Sequence, residues 1–157
     1  MRIFWAGCFL LFALAAACQE QSQPLIAASI IEGDGIERAL SPIQGDPMRG
    51  DALFVSRDGG HCVLCHVLDT IDAPFQGNLG PDLSGVGDRL TPAQLRLRIA
   101  QPSVVWPDTI MPSYYRRDGL NQVAPAYRGE PILTAGEVED LVAFLAAQRI
   151  EVGDENG

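Results

Sequence analysis

Residues 62–66 read Cys-Val-Leu-Cys-His. Two thiols three residues apart sit on one turn, so both can form thioethers to a single porphyrin. The histidine that follows directly then stands beneath the iron as its proximal ligand. Rival chemistries fail on residue counts. A structural zinc site needs four Cys or His ligands, usually as two separated pairs. No cysteine follows Cys65, and the only other histidine, His61, abuts Cys62. A thioredoxin-like dithiol needs a βαβ setting, and Gly- and Pro-rich sequence follows instead. The pentad reads as one covalently bound haem c held by Cys62 and Cys65, with His66 on the iron. A structural disulfide or a chance match is the alternative.

The sixth ligand follows by elimination. Met, His and Lys are the common partners of a His-ligated c-type iron, and the chain has no Lys. His61 lies on the attachment turn itself and cannot wrap to the opposite face. Of the methionines after Met1, Met48 precedes the pentad in a predicted first helical turn. Met111 follows it far enough along the chain to cross to the distal side, and Pro112 stiffens the loop that carries it. Met111 is therefore the expected second axial ligand. Met48, an open position and simple core packing are the other readings. Gly80-Pro81-Asp82-Leu83 follows the pentad and resembles a loop of cytochromes c, a resemblance that implies a Pro81 carbonyl orienting His66. Trp106, Tyr114, Tyr115, Arg116 and Arg117 flank Met111 and are suited to contacting haem propionates. The plainer reading makes the aromatics core and the arginines solvated.

The elements that must position these residues are helices. Asp46-Pro47 reads as an N-cap with proline at the first helical position, and Gly50, Leu53 and Phe54 share one face. Thr91-Pro92-Ala93-Gln94 is a capping box, followed by Leu95 and Ile99 on one stripe. Thr134-Ala135-Gly136-Glu137 is another, followed by Val138, Leu141, Val142 and Leu145 at helical spacing with Phe144 beside them. The connections are rich in Gly and Pro and show no convincing strand. The order (helix, haem pentad, long loop, helix, Met loop, terminal helix) resembles an all-α, class I cytochrome c-like domain with one covalently attached haem and long Gly/Pro-rich loops. That resemblance implies that the first and last helices cross, with Gly50 allowing close approach and Phe54 packing on Phe144.

Around this unit the sequence divides further. Residues 1–17 resemble an export signal: Arg2 precedes an apolar run too short for a comfortable membrane span. Export suits covalent haem attachment and predicts a periplasmic protein. Ala15-Ala16-Ala17 fits release as a soluble protein, whereas Ala-Ala-Cys18 resembles a lipobox that would tether the chain to a membrane through lipidated Cys18. Residues 18–44 read as a linker or N-terminal arm punctuated by Gly and Pro, whose Leu25-Ile26 and Ile30-Ile31 could pack on a partner or on the domain. Residues 45–150 form the haem domain, and 151–157 an acidic tail. Cys8 leaves with the signal, so no disulfide framework remains and the haem must serve as staple and core. The chain has 20 Asp and Glu against 11 basic residues, all Arg, and a formal charge of −9. Such acidity argues against nucleic acid and against an anionic membrane face.

Four stretches carry a more specific resemblance: Gly45-Asp46-Pro47-Met48-Arg49-Gly50, Gln76-Gly77-Asn78-Leu79-Gly80-Pro81-Asp82-Leu83, Asp108-Thr109-Ile110-Met111-Pro112-Ser113-Tyr114-Tyr115-Arg116 and Val123-Ala124-Pro125-Ala126-Tyr127-Arg128-Gly129. Over roughly residues 31–149 the chain resembles SoxX, the monohaem subunit of the SoxAX cytochrome of sulfur oxidation. That resemblance implies a SoxA partner subunit whose cysteine-ligated haem is where thiosulfate joins a cysteine of the SoxYZ carrier protein. It implies that this chain passes the electrons to a small cytochrome c acceptor. No catalytic residue is expected here: the domain has no spare cysteine, Ser-His-Asp set or carboxylate pair. The alternatives are a free-standing periplasmic electron carrier with no thiosulfate role and a tethered haem-sensing module. Met111 argues against the sensing module.

Overall fold

The computed structural model describes residues 25–150, so the expected signal, Cys8, Cys18 and the acidic tail lie outside the described residues. Among the described residues there are four α-helices: α1 (Pro47–Val55), α2 (Val86–Arg89), α3 (Pro92–Ala100) and α4 (Ala135–Ala146). Short 3-10 turns cover Ala28–Ile30, Cys62–Leu64, Pro102–Val104 and Pro125–Tyr127. Among the described residues the only β pairing is one isolated bridge between Glu32 and Gly35. No helix among them is long and apolar enough to cross a membrane.

The three helices expected from the sequence start where their caps place them. Asp46 accepts from the Met48 amide at 2.8 Å, with Pro47 opening α1. Thr91 with Gln94, and Thr134 with Glu137, close reciprocal capping boxes on α3 and α4. Each box satisfies two backbone N–H groups that the first helical turn leaves without partners. The fourth helix, α2, has only four residues, too few to show a period. It is held by tertiary contacts: the Gly87 amide donates to the Gln148 carbonyl at 2.8 Å, just past the end of α4.

α1 and α4 cross at Gly50. A Cβ there would run into the Asp140 carbonyl oxygen and the Phe144 side chain, so only glycine permits this approach. Phe54 and Phe144 meet beside the crossing with ring centroids 5.7 Å apart and planes tilted by 59°, an arrangement favoured by the ring quadrupoles. The apolar stripes predicted for α3 and α4 are buried and join Phe54, Val63, Leu68 and Leu133 in the main core.

α3 also has a second apolar face. Leu97 and Ala100 bury Ile26 and Ile36 from the preceding arm, and the Ile36 amide donates to the Ala93 carbonyl at 3.0 Å. The segment thus lies on the domain. Its anchor is a buried ion pair. Arg96 donates to Glu139 through Nε (2.7 Å) and Nη2 (2.9 Å), and through Nη1 to the Ile36 carbonyl (2.6 Å). The Leu40 amide donates to the same Glu139 at 2.8 Å. Two charges on helix faces that otherwise read as polar surface therefore join α3, α4 and the arm.

A second ion pair ties α1 to α4. Asp140, itself buried, accepts from Arg49 Nε and Nη2 (both 2.8 Å) and from the Asp46 amide (2.7 Å). The Arg49 hydrogen bonds hold the Asp140 carboxyl below its ordinary value of 3.8. A carboxylate with a depressed folded-state pKa stabilises the fold above its unfolded value and loses that contribution as pH falls through the folded one. Asp140→Asn is thus expected to lower stability at neutral pH by about 1–2 kcal/mol, discounted because Arg49 is half exposed. The gap from the parent should close well below pH 3.8. Denaturant titrations across pH check this, and a gap independent of pH would reject the charge-based account.

Candidate haem site

The pentad is wound into a tight turn. His61 enters it in the left-handed region, at φ 45°. The amides of Cys65 and His66 both close onto the Cys62 carbonyl, at 3.0 and 2.9 Å. Winding sends Val63 into the core and Leu64 out to solvent, while Cys62, Cys65 and His66 line one cavity of about 380 Å³. Burial against the apolar wall pushes the free Cys62 thiol up to about 12.

The loop after the pentad lies along it, held by three backbone bonds. The amides of Gly77, Gly80 and Leu83 donate to the carbonyls of Val63, Cys65 and Val67 at 2.9, 2.8 and 2.8 Å. Gln76 pins the base of this loop, accepting from the Leu68 amide at 2.7 Å and donating to the carbonyls of Leu68 and Ile71. Pro81 is thereby presented to His66: its carbonyl lies 2.8 Å from Nδ1. A carbonyl can only accept, so Nδ1 carries the proton and Nε2 keeps its lone pair for a metal. Gly80 floors the ring, and a Cβ there would collide with Cε1, Nδ1 and Nε2 of His66.

Met111 lines the same cavity and packs on the main core. Its amide donates to Thr109 Oγ1 at 3.1 Å. Beyond Pro112 the chain returns to α3, where the amides of Tyr114 and Tyr115 donate to the carbonyls of Ile99 and Ala100. Tyr114 then bridges the Met loop to the attachment turn, its hydroxyl donating to the Gly60 carbonyl at 2.7 Å. Burial raises the Tyr114 phenol well above its ordinary value. Met48, by contrast, is 81% exposed and does not line the cavity.

The residues flanking Met111 divide. Trp106 and Tyr114 line the cavity; Tyr115 and Arg116 do not. Tyr114 and Tyr115 stand in a turn, and Tyr115 packs between the main core and the Ile26–Ile36 cluster. Arg116 sits 3.7 Å from Asp118 instead. The arginine that reaches the cavity is Arg98, on α3. Its sequence signal was available: it stands three residues after Leu95 and next to Ile99, on the buried stripe.

These residues fit a covalently held haem: two thiols and an oriented imidazole on one wall, a methionine in the same cavity, and a largely apolar lining. The comparisons with known proteins agree. Residues 47–148 match the family described as Cytochrome c. Among solved structures, a chain of "Crystal structure of SoxXA from P. pantotrophus" is 32% identical with a TM-score of 0.71, covering 77% of this chain and 95% of that one. No curated protein sequence matches. With a family match over most of its length and a covalent haem c pentad set in an all-α fold, the chain belongs to the cytochrome c family as a monohaem member of the SoxX type.

Proposed function

We propose that the chain is the electron-transfer subunit of a SoxAX-type complex, an L-cysteine S-thiosulfotransferase. It accepts the electrons released when thiosulfate is oxidatively joined to a cysteine of a SoxYZ carrier. The observation that carries this reading is the likeness to a SoxXA chain over 95% of that chain's length. When bound, the haem supplies a one-electron iron centre. The chain's own residues do the rest. Cys62 and Cys65 would hold the haem by thioethers, and His66 would offer Nε2 to the iron while Pro81 fixes its tautomer. Met111, in the same cavity, would offer its thioether to the iron. The apolar lining together with a methionine ligand favours a raised potential. Bond formation to sulfur belongs to the SoxA subunit, and electrons pass from this chain to a small cytochrome c. This work takes place in the periplasm, with Cys18 as a membrane tether if it is lipidated.

The test is a pull-down of the tagged, haem-loaded protein from thiosulfate-grown cells. A second c-type cytochrome should co-elute, and thiosulfate should reduce the haem only when SoxYZ is added. A lone monomer that shuttles electrons but ignores thiosulfate would overturn the sulfur-oxidation reading and leave a free-standing carrier. Ligation is tested separately. Met111→Ala should keep the haem attached but change its visible spectrum and lower its potential. An unchanged spectrum would reject Met111 as ligand.

A further inference from the structure

Arg98 enters the haem cavity from α3 while being gripped from outside by the N-terminal segment. Its Nη2 donates to Asp34 Oδ2 at 2.8 Å and its Nη1 to the Asp34 carbonyl at 3.0 Å. Nη1 also donates to the Gln94 carbonyl at 3.1 Å. The Gln94 amide in turn holds both Asp34 carboxylate oxygens at 3.0 Å. On the cavity side the guanidinium lies 5.1 Å from the centre of the Trp106 ring, which shares the wall. The Arg98 side chain is 14% exposed and that of Asp34 51%. The cation is thus fixed by hydrogen bonds on one side and by an aromatic face on the other. Among the described residues it is the one arginine lining the cavity.

We propose that Asp34 is a positioning residue for the electron-transfer site: through Arg98, the arm ahead of the haem domain sets the reduction potential of the haem. The physical reason is charge. Oxidised haem carries one more positive charge than reduced haem, so a fixed cation in its wall favours the reduced form and raises the potential. That effect is large because the wall is apolar and poorly screened. Asp34 does two opposed things. It holds the guanidinium against the cavity, and its own negative charge offsets part of the field. The hydrogen bond from Arg98 keeps the Asp34 carboxyl below its usual range, so the pair stays charged at neutral pH. Asp34 lies closer to solvent, so salt screens its contribution more than that of Arg98.

The proposal rests on the cavity holding haem and not on any partner, so it is tested on the isolated haem-loaded chain by spectroelectrochemical titration. Arg98→Gln should lower the potential. Asp34→Asn should raise it, by less at high salt than at low salt, because the Asn oxygen and the carbonyls of residues 34 and 94 still hold the guanidinium and only the opposing charge is lost. The double variant should lie between the two single ones and near the parent, the signature of charges acting on each other and on a common centre. Arg98→Lys keeps the charge and loses the fork, so it should fall between the parent and Arg98→Gln. Haem content and the visible spectrum report whether each variant is correctly assembled. Unchanged potentials in both single variants, or shifts of the same sign, would overturn the proposal. A purely structural role for Asp34 would change stability and leave the potential where it was.

Discussion

Glu139→Ala should cost about 3–5 kcal/mol of folding stability. For a domain of this size that is a large part of a total of roughly 5–15 kcal/mol. The carboxylate is the shared partner of Arg96, through two charge-assisted bonds, and of the Leu40 amide. Arg96 is 6% exposed and Glu139 5%. Removing the anion leaves a guanidinium buried with only backbone carbonyls to answer it, and it frees the arm from α4. The comparison with Glu139→Gln isolates charge from shape: the amide can still accept one bond, so the loss should be smaller. Thermal or denaturant unfolding of the haem-loaded protein measures both. A loss below 1 kcal/mol for the alanine variant would mean that solvent or local rearrangement rescues Arg96. The covalent haem should remain attached in either case, because neither residue lines its cavity.

Gly80→Val should damage the site itself. A Cβ at this position lands on the His66 ring, and two further methyl groups cannot be absorbed by a loop held through the Gly80 amide to the Cys65 carbonyl. Either the ring or the loop must move, and both break the 2.8 Å contact between His66 Nδ1 and the Pro81 carbonyl. Overpacking of this kind costs about 1–3 kcal/mol. The larger effect is on the metal. An imidazole that loses its orienting acceptor binds iron less tightly, typically by about 10–100-fold. The expected result is a haem still linked through Cys62 and Cys65 but with a changed visible spectrum and a lowered thermal midpoint. A parent-like spectrum would show that the ring tolerates displacement and that Pro81 does not control it.

These two sites show different kinds of legibility. The haem pentad could be read directly, because attachment chemistry constrains residue types at adjacent positions. The helix starts were legible for a related reason: a cap is a local bargain between one side chain and amides two or three residues away, so Thr91 with Gln94 and Thr134 with Glu137 announce themselves. The stripes of α3 and α4 follow from the helical period. Gly50, Phe54 and Phe144 were foreseen through the resemblance to the class, since a crossing brings together residues far apart in sequence.

Other features had no local signature. α2 is too short to be periodic and exists because α4 ends beside it. Arg96 and Glu139 look like ordinary solvated residues until the fold places them face to face. Arg116 and Tyr115 had the right chemistry near Met111, but the backbone after Pro112 turns them away. Arg98, on another element, takes the cavity position. What the sequence determined alone was the cofactor and the helical framework, because covalent attachment, capping and periodicity act between residues near each other along the chain. What only the tertiary structure decided was which charges are buried, which arginine faces the cavity and what the arm rests on. Those depend on long-range approach, where burial and desolvation, not residue type, set the role.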